Sequence, residues 1–261
     1  KKRCKVIMIA ENIIPHEPRF FDRPFTKYVL SGTDGVISMC GEVDSDLLKF
    51  TDSKPHIIQN HPLYSHFGAK LPRKEAERIL GIKENKKNIL FFGLIRKYKG
   101  LDILIDAFKE LGEEYQLIIA GEPYGSFDSY AAQIEKSGAK DRIHLFPEYI
   151  KDSDVKKYFS AADLTVLPYR SATQSGISSV SYHFEVPMVV TDVGGLKETI
   201  GERGTGIVTE RPDPECIRAA IERYFADSSI RENCIAHIRE EKERLSWSRF
   251  AEGLVEFAKK I

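Results

Sequence analysis

Two short segments of this 261-residue chain combine glycine with groups that suit an anion. The first, residues 91–100, begins as an apolar run and ends in a basic stretch that includes Arg96 and Lys99. Arginine binds phosphate through paired N–H groups, and lysine acts as a point charge. The second is Gln174-Ser175-Gly176, where small residues open a helical pattern and let backbone N–H groups approach an anion. Together they predict a phosphate-binding site, with a solvated basic loop and an ordinary Ser175 N-cap as the structural alternatives.

The elements around these segments follow a regular alternation. Continuous apolar runs of strand length predict strands at 88–93, 116–120, 142–146, 164–168, 187–191 and 206–209. Amphipathic stretches between and after them predict helices at 100–111, 127–137, 152–161, 175–184, 196–200 and 213–226. Apolar strands that alternate with helices are typical of a parallel sheet covered on both faces. We therefore predict a doubly wound, Rossmann-like α/β domain, which places both segments at the carboxyl ends of strands.

A shorter alternating pattern precedes this domain. It predicts strands at 5–10, 35–40 and 56–59 and helices at 23–31, 42–50 and 72–80, the last ended by Gly81. A last amphipathic helix, 246–261, contains the only tryptophan, Trp247. Three strands are too few for a complete doubly wound domain, so we expect part of a second Rossmann-like domain here.

Composition narrows the class of protein. Lys+Arg and Asp+Glu both number 39, and a net charge of zero argues against a protein that coats nucleic acid. No apolar run approaches the ~20 residues of a membrane helix, and no signal-peptide pattern is present. The cysteines are scattered without metal-ligand spacing, which is typical of reduced thiols in a cytosolic protein: Cys4, Cys40, Cys216 and Cys234. The chain lacks an initiator methionine and looks like a piece of something longer.

These residues resemble the donor-binding half of a retaining GT-B glycosyltransferase, of the large glycosyl transferases group 1 or family 4 type. The turn after strand 116–120, residues 146–150, residues 161–164 and residues 205–208 also fit the series of motifs in that family. The resemblance implies that Arg96, Lys99 and the 174–176 turn bind the diphosphate of a nucleotide sugar. It also implies a nucleobase and ribose pocket at Gly121, Glu122, Glu148, Tyr149 and Ile150.

The chain departs from the family pattern at three positions. Leu94 stands where an arginine is usual, and we expect Arg96 to replace it. Ala172 and Val180 occupy the positions of a glutamate pair that contacts the donor sugar and ribose. The run from Tyr169 to Gly176 resembles a subgroup in which this pair is commonly replaced, so we interpret the change as altered donor contacts.

The resemblance also gives expectations for the rest of the chain. Residues 1–85 would be a partial acceptor-side domain with a linker, 86–245 the nucleotide-sugar-binding domain, and 246–261 a helix packing back on the N-terminal part. His16 lies in a segment similar to the acceptor side of the cleft, and is a candidate acid, base or hydrogen-bond donor. A structural role for this loop histidine is the alternative.

The predicted function is retaining transfer of a sugar from a nucleotide donor to a saccharide or lipid-linked acceptor, in surface polysaccharide or glycoconjugate synthesis. We expect no metal and no cofactor apart from the donor, and a cytoplasmic location that includes the inner face of the membrane. Peripheral membrane association and self-association are further expectations. The alternatives are a non-catalytic nucleotide-sugar-binding module, a truncated inactive fragment, or another enzyme class on this architecture such as a sugar-nucleotide epimerase.

Overall fold

The computed structural model describes residues 4–14, 20–64, 66–172 and 175–261. Its strands are β1 (Ile7–Ala10), β2 (Gly35–Ser38), β3 (His56–Ile58), β4 (Lys87–Phe92), β5 (Tyr115–Ala120), β6 (Ile143–Phe146), β7 (Leu164–Leu167), β8 (Met188–Thr191) and β9 (Gly206–Thr209). Its helices are α1 (Asp22–Gly32), α2 (Gly41–Leu48), α3 (Arg73–Leu80), α4 (Leu101–Phe108), α5 (Asp128–Lys136), α6 (Asp152–Ala161), α7 (Gly176–His183), α8 (Pro214–Ala226), α9 (Ser228–Arg244) and α10 (Trp247–Lys260). The chain divides into two compact units, 1–63 with 243–261, and 64–242.

The smaller unit contains a three-stranded parallel sheet in the order β1-β2-β3. Helix α10 belongs to the same unit, and its Phe250 and Phe257 share a buried cluster with Ile37 of β2. Gly35 leaves room for the Phe257 ring, since a Cβ there would lie 2.8 Å from two ring atoms. Helix α1 and the two residues before it expose a stripe of apolar side chains to solvent: Phe20, Phe21, Phe25, Tyr28 and Val29.

The larger unit contains a six-stranded, fully parallel sheet in the order β6-β5-β4-β7-β8-β9. The chain starts in the middle with β4, adds strands to one side, and then crosses to β7 and adds strands to the other. This is the strand order of the Rossmann-type doubly wound sheet, and the predicted architecture is confirmed. The order reverses between β4 and β7, and ligands of such sheets bind at the carboxyl ends of the strands flanking that point.

Both faces of the larger sheet are apolar because its strands alternate between two cores. Ile89 and Phe91 of β4 belong to the cluster that includes Leu104 of α4 and Ile217 of α8. Leu90 and Phe92 of β4, one residue out of phase, belong to the cluster that includes Phe159 of α6. The continuous apolar runs in the sequence therefore reflect burial on both sides.

Helix α9 is a 17-residue element that the sequence analysis does not predict. Its sequence is mostly charged, and only Cys234, Ile238 and Glu241 are buried. Three buried positions in about five turns give the sequence only a weak apolar periodicity. The packing of this one narrow stripe of side chains stabilises the helix.

Residues 64–85, which the sequence analysis assigns to the N-terminal domain and linker, belong to the larger unit in the structure. A buried polar network holds α3 against the start of β4. Arg73 pairs with Asp163 and donates from Nε to Glu77 at 2.8 Å. Asn88 Nδ2 donates to the same Glu77 oxygen at 2.9 Å, and its backbone N–H donates to Asp163 at 2.9 Å.

Arg73→Ala should lower the free energy of unfolding by about 3 kcal/mol, because it leaves the buried carboxylates of Glu77 and Asp163 without their shared cation. Arg78→Ala, on the exposed side of the same helix, should change it by less than about 0.5 kcal/mol. Urea unfolding followed by circular dichroism measures both variants. Equal effects would mean that the network does not anchor α3.

Candidate anion-binding site at the switch point of the sheet

The basic segment leaves β4 through one glycine and enters α4 through another. Gly93 has a φ of +97° and Gly100 a φ of +67°, which L side chains rarely adopt. Between them, Lys97–Lys99 form a single 3₁₀ turn. A Cβ on residue 100 would overlap the carbonyl oxygen of Pro168, just beyond β7. The two loops on either side of the switch point therefore meet where only glycine fits.

On its other side this segment is joined to the loop after β5. The Ile95 N–H donates to the Glu122 carbonyl at 2.8 Å, and the Tyr124 N–H donates to the Ile95 carbonyl at 3.0 Å. A Cβ on Gly121 would overlap the carbonyl oxygen of Gly93. Gly121 and the Glu122 backbone thus form the wall that supports the basic segment, while the Glu122 side chain is exposed.

Arg96 extends into solvent from the supported segment. Its guanidinium carbon lies 4.5 Å from the centroid of the Tyr124 ring, within the range of a cation–π contact. Tyr124 is itself 75% exposed, so the pair forms a platform at the mouth of the site. A stacked arginine keeps N–H donors at its edge available to an anion.

Lys99 is the buried cation of the site. It is only 9% exposed, and within the described part of the chain it forms no ion pair. Its Nζ lies 5.7 Å from the centroid of the buried Tyr169 ring and next to Gly93, 3.3 Å from where a Cβ of residue 93 would be. Burial, reinforced by the charge of Arg96, lowers the pKa of Lys99 to about 8.

The amino terminus of α7 faces the same place. Ser175 caps the helix, because its Oγ accepts from the Ile177 N–H at 3.3 Å, and the same Oγ lies 3.2 Å from the Tyr169 hydroxyl. Gly176 is exposed, and a Cβ on it would meet no atom within 4 Å. The Ile177 side chain lies against Gly93. The positive end of the α7 dipole thus points to the region beside Lys99.

The remaining predicted residues are more scattered. Glu148 and Tyr149 are exposed beyond the end of β6, two strands away from β4, and Ile150 packs partly buried against an apolar core. Gln174 and His16 lie outside the described residues. The structure therefore brings together Arg96, Lys99, Ser175 and Gly176, with Gly121 and Glu122 behind them.

Sequence reasoning missed two side chains of the site. Tyr169 closes the back of the Lys99 pocket, and burial raises its pKa to about 12, so it stays a neutral hydroxyl. Arg170 forms a bidentate pair with Asp102 at the start of α4. Both residues lie just after β7. Their position at the carboxyl end of a central strand is the sequence signal that could have identified them as site residues.

Metal-ligand clusters and membrane-spanning helices are both absent from the part of the chain that the structure describes. No group of three or more His, Cys, Asp or Glu side chains is placed to hold a metal ion. No described helix is long and apolar enough to cross a membrane.

A parallel sheet of Rossmann order, with cations and a helix amino terminus at its switch point, places this chain among the doubly wound α/β proteins. The sequence pattern of the family Glycosyl transferases group 1 matches residues 72–241, well over half of the chain. The chain belongs to this family, and its fold is that of the GT-B glycosyltransferases.

Relatives and solved structures agree with this assignment. The chain is 27% identical over 182 residues to an uncharacterized glycosyltransferase of Methanocaldococcus jannaschii, covering 68% of this chain and 46% of that protein. It is 26% identical over 213 residues to the lipopolysaccharide core biosynthesis mannosyltransferase LpsB of Rhizobium meliloti, covering 78% of this chain and 58% of that protein. It spans about half the length of such relatives. The structure of Anabaena HepE in complex with UDP superposes with a TM-score of 0.80 at 14% identity, covering 98% of this chain and 72% of that one.

Gly100→Ala should disrupt the site, whereas Gly138→Ala serves as a matched control. Both glycines have a positive φ, +67° and +71°, but a Cβ on Gly138 meets nothing within 4 Å. Both variants carry the backbone strain of about 1 kcal/mol, and only Gly100→Ala forces Pro168 to move. Thermal unfolding should show a clearly larger loss for Gly100→Ala. Equal losses would contradict the close contact between the two loops.

Proposed function

We propose that this chain carries the donor site of a glycosyltransferase that uses a nucleotide sugar, and that the donor diphosphate binds between the basic segment and α7. The observation that carries the proposal is Lys99, a buried cation without a carboxylate partner among the described residues. Burying a charge without a partner is costly, and a bound anion would supply the missing charge. A diphosphate between Lys99, Arg96 and the first turn of α7 satisfies all three groups.

Relatives support this choice of ligand. HepE was crystallised with UDP, and in separate crystals with UDP-glucose and with UDP and glucose. An E. coli structure described as trehalose-6-phosphate bound with UDP-2-fluoro glucose superposes with a TM-score of 0.72. We therefore infer a nucleoside diphosphate sugar as the donor, with UDP as the first nucleotide to test. Glu148, Tyr149 and Ile150 remain the proposed nucleobase pocket, together with Gly121 and Glu122.

The proposed chemistry follows from the position of the cations. In the transfer, the bond between the anomeric carbon and the diphosphate oxygen breaks, and a bond to the acceptor hydroxyl oxygen forms while the proton of that hydroxyl passes to the leaving diphosphate. Negative charge grows on the leaving diphosphate, and Lys99, Arg96 and the α7 N–H groups would stabilise it. Because these groups supply fixed positive charge, we propose metal-independent transfer, with retention as in the resembling family. His16 remains the proposed group on the acceptor side.

A non-catalytic nucleotide-sugar-binding module is the second candidate. The observation that favours it is Val180, which is buried in an apolar cluster at the position of the family's ribose-binding glutamate. Ala172 likewise offers no hydrogen bond at the position of the other glutamate. Release of free sugar or a transfer product from UDP-glucose by the protein would favour the enzyme. Tight binding without turnover would favour the module.

The broader role is proposed on the same footing. Relatives named as a lipopolysaccharide core biosynthesis mannosyltransferase and a D-inositol 3-phosphate glycosyltransferase support an acceptor that carries hydroxyl groups, and we propose a saccharide or lipid-linked acceptor for this chain. We propose surface polysaccharide or glycoconjugate synthesis as the setting, at the cytoplasmic face of a membrane. Self-association remains a further proposal, and the exposed stripe on α1 is the surface it would cover.

Nucleotide binding should depend on the buried Lys99 more than on the exposed Lys97. UDP, GDP or ADP at one hundred times its dissociation constant should stabilise the protein by about 2.7 kcal/mol. Lys99→Ala and Arg96→Ala should each lose most of this stabilisation, whereas Lys97→Ala, with the same charge removed from an exposed position, should retain it. Thermal shift and calorimetry measure the difference. No stabilisation of the unmodified protein by any nucleotide would contradict the donor-site proposal.

Affinity for the nucleotide should also fall as the pH rises through 8. Lys99 is cationic below its pKa of about 8 and neutral above it, while a nucleotide phosphate is already ionised at pH 7. Between pH 7 and 9 the dissociation constant should therefore rise about tenfold. In Lys99→Arg the cation does not titrate in this range, so the pH dependence should disappear. A wild-type affinity that stays constant would contradict the role of Lys99.

A further inference from the structure

We propose that Arg170 and Asp102 are positioning residues for the diphosphate site, and that their ion pair holds the segment carrying Lys99 in its binding conformation. This inference rests on the proposed function, because it explains how the donor site is kept in shape.

The contacts of Arg170 all reach across the switch point. Its guanidinium donates to both carboxylate oxygens of Asp102, at 2.8 and 2.6 Å, and to the Lys97 carbonyl at 2.9 Å. Its backbone N–H donates to the Tyr98 carbonyl at 2.7 Å. Residues 97 and 98 directly precede Lys99, so the loop after β7 fixes the backbone from which the Lys99 side chain extends.

The electrostatics of the pair favour this role over direct ligand binding. Both charges of the pair neutralise each other in a bidentate geometry, which is the strong form of such contacts. Burial works to raise the pKa of Asp102, yet hydrogen bonding to Arg170 holds it below its usual range. Arg170 is therefore engaged by an ionised carboxylate, whereas neither Arg96 nor Lys99 forms an ion pair with a carboxylate that the structure describes.

The Arg170–Asp102 ion pair fixes the conformation of the basic segment more than it stabilises the folded protein. The side chains of Arg170 and Asp102 are 37% and 39% exposed. Exposed pairs contribute at most about 1 kcal/mol to folding, so removing one partner should leave the protein folded. Loss of the contacts to residues 97 and 98 would still free the segment that carries Lys99. We therefore expect a defect in binding without a comparable defect in folding.

The direction in which anion affinity changes when Asp102 is removed distinguishes two roles for its carboxylate. Removing a carboxylate near an anion site should strengthen anion binding if only Coulomb attraction matters. If Asp102 instead holds Arg170 against the basic segment, its removal should weaken binding. The matched control is Asp106→Ala, one turn further along α4, where the carboxylate pairs with Lys109 at 3.0 Å.

The experiment is calorimetric titration with whichever of UDP, GDP and ADP binds the unmodified protein most tightly. Asp102→Ala and Arg170→Ala should each raise the dissociation constant about tenfold, and the double variant should be no worse than either single one, because they remove the same contact. Asp106→Ala should bind like the unmodified protein.

A pH series separates positioning from a general loss of structure. If the pair holds Lys99 in its pocket, the fall in affinity through pH 8 should shift or flatten in Asp102→Ala and Arg170→Ala, while their thermal midpoints stay within a few degrees of the unmodified protein. Tighter binding in Asp102→Ala together with weaker binding in Arg170→Ala would overturn the proposal and make Arg170 a direct ligand. Unchanged affinity in both variants would also overturn it, and binding lost in Lys99→Ala would show that the donor site itself stands. If no nucleotide binds the unmodified protein, both proposals fail.

Discussion

The contact between Gly100 and the Pro168 carbonyl is the constraint on which the site depends. The two central strands β4 and β7 are neighbours, but their loops lead to helices on different sides of the switch point. Because residue 100 has no side chain, the basic segment can turn into α4 directly against the loop after β7. That closeness lets Arg170 reach the carbonyls of residues 97 and 98 and places Lys99 beside α7.

A second consequence is an excess of positive charge in a confined space. Lys99 is packed against Gly93 and the Tyr169 ring, so burial lowers its pKa, and the charge of the nearby Arg96 lowers it further. The α7 amino terminus contributes a field of the same sign. No carboxylate among the described residues pairs with Lys99 or Arg96, which is the arrangement expected of the proposed anion site, and the exposed Arg96–Tyr124 platform lies at its mouth.

Much of the fold and of the basic loop could be predicted from the sequence because the signals for them are local. Apolar runs, alternating helices and Gly81 at a helix end predict the elements, and their order predicts the sheet. Gly100 after a lysine predicts the basic loop at a helix start. Contacts between distant residues were not available: Arg170 and Asp102 are 68 positions apart, and nothing in either neighbourhood indicates the pair. Helix α9 was missed because a narrow buried stripe in a charged sequence leaves little periodicity.

The most direct measurement is amide hydrogen exchange of the protein with and without a saturating nucleoside diphosphate. If the diphosphate binds between the basic segment and α7, the nucleotide should slow exchange in residues 93–100 and in the first turn of α7, with little change at the opposite edge of the sheet. Slower exchange confined to another surface, such as the groove between α4 and α8 lined by Asp106 and Arg218, would place the ligand elsewhere and contradict it.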